Sequence, residues 1–264
     1  MPRPLVTLLT DFGAGSGYPA QVKGEVLRRL PDATLVDLSH EVAPFDVLGG
    51  ALLLEACVPH FPGEAVHLAV VDPGVGTARR PICVVDVEGR RLVGPDNGIF
   101  TPFLGAGASV FLLSDPDLVP QDPSPTFHGR DLFAPVAAWL AGGGGAERLG
   151  PRLGDPVRLS WPLARRSAGS IEGECLAADA FGNLTTSIRR EDLAGDAALE
   201  VTVGGRPARL VETFGHGSTG ELVALWGSGG RLEIALRDGS AAGATGLGRG
   251  ATVRLRLRPG GASR

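Results

Sequence analysis

The run Val66-His67-Leu68-Ala69-Val70-Val71 stops abruptly at Asp72-Pro73-Gly74-Val75-Gly76. Its length is that of a strand, and apolar side chains at both even and odd positions require cover on both faces. Pro73 has no N–H to continue a ladder, and Gly74 and Gly76 accept positive φ, so the backbone must turn there. Asp72 is therefore predicted to stand at the carboxyl end of a central strand, where open α/β sheets place their ligands. Arg79 follows seven residues later, across a glycine turn that can return its guanidinium towards the carboxylate. Local pattern leaves two readings open: a capped strand end with a surface arginine, or a paired carboxylate and cation at a site.

Strand-like and helix-like stretches alternate on either side of this run. Leu5 to Thr10 ends at Asp11-Phe12-Gly13, Ala20 to Leu30 has helical periodicity, and Ala33 to Leu38 is a second strand with Asp37 at its end. Pro44 to Val58 reads as a helix with Asp46 in its first turn. Pro81 to Val87 and Arg90 to Val93 bracket Glu88-Gly89 as a hairpin, Ala108 to Leu113 is a short strand, and Phe133 to Leu140 begins a helix. The alternation implies a mostly parallel sheet covered on both faces. Beyond about residue 150 the texture changes. Pro151, Pro156 and Pro162 punctuate a linker, then short strands recur at 170–177, 199–203, 206–210, 222–225, 231–236 and 251–257. We read 1–155 as an N-terminal α/β domain, 156–169 as a linker, and 170–264 as a smaller, all-β, barrel-like domain.

Composition excludes several function classes. The net charge of -4 argues against nucleic acid or an anionic membrane as a bulk partner. Cys57, Cys83 and Cys175 are odd in number and lie far apart, so neither a disulfide framework nor a zinc ribbon is expected. The five histidines show no HExxH spacing, and no metal centre is expected. GxGxxG and the Walker lysine are absent, which removes the common nucleotide-phosphate motifs. No apolar run reaches the ~18 residues of a membrane span and no signal core opens the chain, so a soluble cytoplasmic protein is expected.

Three further stretches combine chemistry-bearing residues. Thr126-Phe127-His128-Gly129-Arg130-Asp131 sets a histidine before a helix, Asp179-Ala180-Phe181-Gly182-Asn183 surrounds a glycine turn, and Trp226-Gly227-Ser228-Gly229-Gly230-Arg231 is a second such turn. Singly, each has a plain structural reading as a cap or hairpin. Together with Thr10-Asp11-Phe12-Gly13, Asp37-Leu38-Ser39-His40, Val71-Asp72-Pro73-Gly74-Val75-Gly76, Gly94-Pro95-Asp96-Asn97-Gly98 and Leu232-Glu233-Ile234-Ala235, in this order, they resemble one family. It is the S-adenosyl-L-methionine (SAM) hydrolases, or SAM hydroxide adenosyltransferases, which are homologous to the fluorinase and chlorinase enzymes.

The resemblance implies an α/β domain followed by a β-barrel domain, in a homotrimer that binds SAM between neighbouring subunits. It implies cleavage of SAM by water to adenosine and L-methionine, with no cofactor. The family's Asp-Arg-His set falls on Asp72, Arg79 and His128, and its presence favours water over halide. Asp11 matches the carboxylate that holds the ribose hydroxyls, Asn183 and Phe181 match the adenine-binding asparagine and aromatic, and Asp179 and Ser228 match the groups on the methionine ammonium and carboxylate. The chain departs from the family at Ser16-Gly17-Tyr18-Pro19, at Gly227 where Asn is usual, and at Thr186-Ser187.

These residue types suit the chemistry. Methionine leaves a sulfonium as a neutral thioether and needs no acid, whereas bulk water, with a pKa of about 15.7, is a poor nucleophile at neutral pH. A guanidinium near a bound water favours hydroxide, a carboxylate orients it, and a histidine either accepts its proton or fixes its position. Three rivals remain on sequence alone: a SAM-dependent halogenase, a divalent-metal phosphohydrolase using Asp11, Asp37, Asp72 and Asp96, and a non-catalytic SAM- or adenosine-binding module.

Overall fold

The computed structural model describes residues 3–258, which form two compact units divided between Ser160 and Trp161. The first unit is built on a six-stranded sheet. Its strands are β1 (Leu5–Thr10), β2 (Thr34–Ser39), β3 (Val66–Val70), β4 (Pro81–Val85), β5 (Arg91–Pro95) and β6 (Ser109–Leu112), in the spatial order β2-β1-β3-β5-β4-β6. β3 is buried along its whole length, as its unbroken apolar pattern requires.

The sheet is mixed, which corrects the expectation of a mostly parallel one. β2, β1, β3 and β5 pair in parallel, whereas β4 runs antiparallel to both β5 and β6. The cause is the tight turn at 86–90, because a connection that short can only reverse the chain. Asp86 holds it: Oδ1 accepts from the backbone N–H of Glu88 and Arg90, and Oδ2 accepts from Arg90 Nε at 2.6 Å.

Helices cover both faces. α1 (Tyr18–Arg29) and α3 (Ala134–Ala141) pack with Val6, Leu8, Val66 and Leu68 on one side. α2 (Val47–Cys57) approaches the other, where Gly50 lies against Leu9, Val71 and Ile99. Alternation along β1 assigns its side chains to these two layers. Asp46 is the N-cap of α2 rather than a residue of its first turn, and its side chain accepts from Gly49 N at 3.0 Å. His67 lies inside the sheet with Nδ1 2.8 Å from Thr7 Oγ1, and burial pushes its pKa down to about 4.

The second unit is a closed seven-stranded barrel with one short strand added outside. β7 (Arg165–Ser167) pairs with β8 (Ser170–Ala178), and the ring continues through β9 (Leu184–Arg189), β13 (Arg231–Leu236), β12 (Leu222–Trp226), β11 (Arg206–Leu210), β10 (Ala197–Val203) and β14 (Thr252–Arg258). β14 returns to pair with β8 and closes the barrel. One side chain in two points inward, and Ile171, Leu184, Ile188, Val203, Ala224, Ile234 and Leu255 fill the interior. A short helix, α4 (Ala241–Thr245), starts at the Ser240 N-cap. Among the described residues no helix is long and apolar enough to cross a membrane, and the three cysteines are free thiols.

Candidate active site

The turn after β3 folds as its prolines and glycines dictate. Gly74 N donates to Asp72 Oδ1 at 3.2 Å, and Thr77 Oγ1 donates to Gly74 O at 2.7 Å. Gly76 takes φ +74°, and a Cβ there would lie 2.5 Å from the carbonyl oxygen of Pro125. This glycine thus lets the loop of Asp72 touch the loop that carries His128.

The chain then returns Arg79 to Asp72 as a fork. Nη2 lies 2.5 Å from Oδ2 and Nε lies 3.1 Å from Oδ1, with both side chains almost fully buried. The paired-site reading of this stretch is the one the geometry adopts. Arg79 Nη2 also lies 2.9 Å from His128 Nδ1, which joins residues 49 apart in sequence. The guanidinium sits over the Phe133 ring at 5.4 Å, and its Nη1 is buried without a hydrogen-bond partner among the described residues. Burial and the Arg79 charge lower the pKa of His128 from its ordinary value, opposed by Asp72 and Asp131.

Asp72 and His128 line a cavity of about 300 Å³, together with Asp11, Tyr18, Phe45 and Phe127. Arg79 is not among the residues that line it, but its guanidinium touches both Asp72 and His128. Asp11 Oδ2 accepts from the backbone N–H of Phe45 at 2.9 Å. That contact holds Phe45 at φ +65°, a left-handed conformation costly for an aromatic residue, and the residue is 69% exposed. Phe12, Tyr18 and Phe127 form edge-to-face pairs with centroids 5.1–6.1 Å apart. Sequence reasoning did not single out Phe45 or Phe127. Only the Pro44 that precedes Phe45 hints at an irregular backbone there.

The remaining candidate residues belong to the second unit. Asp179 builds the turn between β8 and β9: Oδ1 accepts from Phe181 N at 2.9 Å and Asn183 N at 2.8 Å, and Oδ2 accepts from Asn183 Nδ2 at 2.9 Å. Gly182 completes the turn at φ +81°, where a Cβ would strike Ser240 Oγ. The result presents Phe181 outward at 78% exposure and leaves Asn183 Oδ1 as an acceptor. Ser228 is exposed in the turn between β12 and β13. Beside it, the space that a side chain at Gly227 would take is filled by the Glu233 carboxyl. Burial, with the charge of Asp179, raises the pKa of Glu233.

The strand-end carboxylates are spent separately. Asp37 pairs with Lys23 at 2.6 Å, Asp72 with Arg79, and Asp96 with Arg80 Nε at 2.8 Å and Val157 N at 2.8 Å. Among the described residues no three His, Cys, Asp or Glu side chains converge as a metal-binding group.

Comparison with known proteins places this geometry in a family. A model described as the SAM hydroxide adenosyltransferase N-terminal domain matches residues 6–150, and one described as the C-terminal domain of the same enzymes matches 173–254. A protein of Thermus thermophilus named (R)-S-adenosyl-L-methionine hydrolase is 43% identical over 260 residues, covering 95% of this chain and 98% of the relative. A fluorinase of Actinopolyspora mzabensis is 31% identical over 219 residues, covering 72% of this chain and 73% of its own length. The crystal structure of an uncharacterized conserved protein from Thermotoga maritima matches with a TM-score of 0.88 at 34% identity, covering 95% of this chain and 99% of that one. By two domain models that together span most of its length, and by a relative that matches it nearly end to end, the chain belongs to the SAM hydroxide adenosyltransferase family.

Proposed function

We propose that this protein hydrolyses SAM to adenosine and L-methionine by attack of a water-derived oxygen on the ribose C5′. The observation that carries the reading is the Asp72-Arg79-His128 constellation at the cavity, in a chain 43% identical to a relative named as such a hydrolase.

The reaction asks little of an acid, because the thioether leaves without a proton. It asks for a nucleophile and for alignment opposite the C5′–S bond. Asp72 orients the oxygen from the cavity wall, and the Asp11 carboxylate favours entry of the sulfonium by its charge. Asp11 Oδ1, left over from the contact with Phe45, holds the ribose hydroxyls. Asn183 Oδ1 accepts from the adenine amino group, Phe181 covers the base, and Asp179 and Ser228 hold the methionine ammonium and carboxylate. No cofactor takes part, and the buried pair of Asp72 and Arg79 supplies the local field.

The working form is a homotrimer in which the cavity of one subunit is completed by the β8–β9 and β12–β13 turns of its neighbour. Phe45, exposed at the cavity, and Phe181, exposed on the β8–β9 turn, support this as apolar side chains that a neighbouring subunit would cover. The three free thiols fit a reducing compartment, and we place the enzyme in the cytoplasm.

Incubation with SAM in chloride-free buffer containing a chelator tests the reading. Adenosine and methionine in equal amounts are expected. A chlorinated nucleoside that forms only when chloride is added would make the protein a halogenase, and loss of activity with chelator would favour a metal phosphohydrolase. Bound but intact SAM would make it a binding module.

A further inference from the structure

Arg79 Nη2 lies 2.9 Å from His128 Nδ1, and a guanidinium has five N–H donors and no acceptor. The only hydrogen bond this contact allows is donation from Arg79 to a bare Nδ1. A neutral His128 then carries its proton on Nε2, the ring nitrogen not engaged by Arg79, and the residue lines the cavity. We propose that Arg79 is a positioning residue that locks His128 as its Nε2–H tautomer, so that His128 donates a hydrogen bond to the attacking oxygen and does not take its proton. The inference rests on the hydrolase reading for the identity of that oxygen.

The charges around the ring agree. Arg79 opposes an imidazolium, Asp72 and Asp131 favour one, and with burial the balance lowers the pKa of His128. Both oxygens of the Asp72 carboxylate already accept from the Arg79 fork. The oxygen therefore enters as hydroxide, its proton already passed to solvent. The O–C5′ bond forms, the C5′–S bond breaks, and the electron pair of that bond stays on the sulfur of neutral methionine. A donor at Nε2 favours the anionic form of the bound oxygen, and so raises the share of it that is present as hydroxide.

Long-range nitrogen–proton NMR of the ¹⁵N-labelled protein at pH 7 reads the tautomer directly, with or without turnover. A protonated Nε2 and a bare Nδ1 at His128 are expected, and a protonated Nδ1 overturns the proposal. Arg79→Lys keeps a cation for Asp72 but loses the fork. It is expected to populate the other tautomer and move the His128 titration midpoint, and an unchanged ring would remove Arg79 from the role. His128→Gln retains an N–H near the ε position and is expected to keep at least ~10-fold more kcat than His128→Ala. Equal losses in the two variants would restore His128 as the base. Absence of SAM cleavage by the wild-type protein would count against the hydrolase reading alone, since the tautomer is read independently of it.

Discussion

At Asp72 both carboxylate oxygens are occupied by one guanidinium, and both side chains are almost fully buried. Breaking a buried pair by removing one member leaves an uncompensated charge, at a cost of about 3–5 kcal/mol. Arg79→Ala is therefore expected to lower the thermal midpoint as well as turnover, and its kcat is to be normalised to the folded fraction. On that basis Asp72→Asn and Arg79→Ala each lower kcat by ~10²-fold or more with a smaller change in SAM affinity. Wild-type turnover in either would remove that residue from the mechanism. Asn183→Ala is expected to weaken SAM binding in calorimetry with a lesser effect on kcat, and unchanged affinity would remove it from the adenine pocket. The pairing of Asp72 with Arg79 was one of two readings that the sequence left open, because proline and glycine force a turn that can return the arginine within seven residues without requiring it. His128 was not legible from spacing. It joins the pair across 49 residues through a tertiary contact, and only its resemblance to a family motif pointed to it.

At the scale of elements, the loop after β3 and the loop before α3 touch because Gly76 has no Cβ. Gly76→Ala would drive a methyl group into Pro125 O and separate His128 from Arg79. A folded protein with kcat reduced ~10-fold or more is expected, checked by circular dichroism and SAM turnover. β1 and β3 are joined by Thr7 and His67, and the folded-state pKa of His67 is about 4 against 6.5 unfolded. The unfolded chain thus binds the extra proton first. The stability supplied by neutral His67 is complete above pH 6.5 and is lost as pH falls towards 4, by about 3 kcal/mol in all. Urea unfolding at pH 7 and pH 4.5 is expected to show this slope, and His67→Gln to reduce it. Most elements could be read from apolar periodicity, which is local. The direction of β4 in the sheet was not carried through from the hairpin at 86–90, although that turn was legible. β7 was missed because Arg165-Arg166-Ser167 is exposed and polar, and β9 because Thr and Ser dilute its apolar pattern.

At the scale of the whole molecule, the α/β unit holds the candidate chemistry and the barrel unit holds the turns assigned to adenine and methionine. A homotrimer is the proposed way to join them. Light scattering is expected to give three times the mass of the chain, with specific activity falling on dilution below the assembly range. A fully active monomer would contradict the shared site. The most direct test of the function is hydrolysis of SAM in ¹⁸O-labelled water, with mass spectrometry of both products. One ¹⁸O in the adenosine, at the 5′ oxygen, with unlabelled methionine is expected, because the solvent oxygen attacks C5′. Label in the methionine, or adenosine without label, would contradict attack of a water-derived oxygen at C5′.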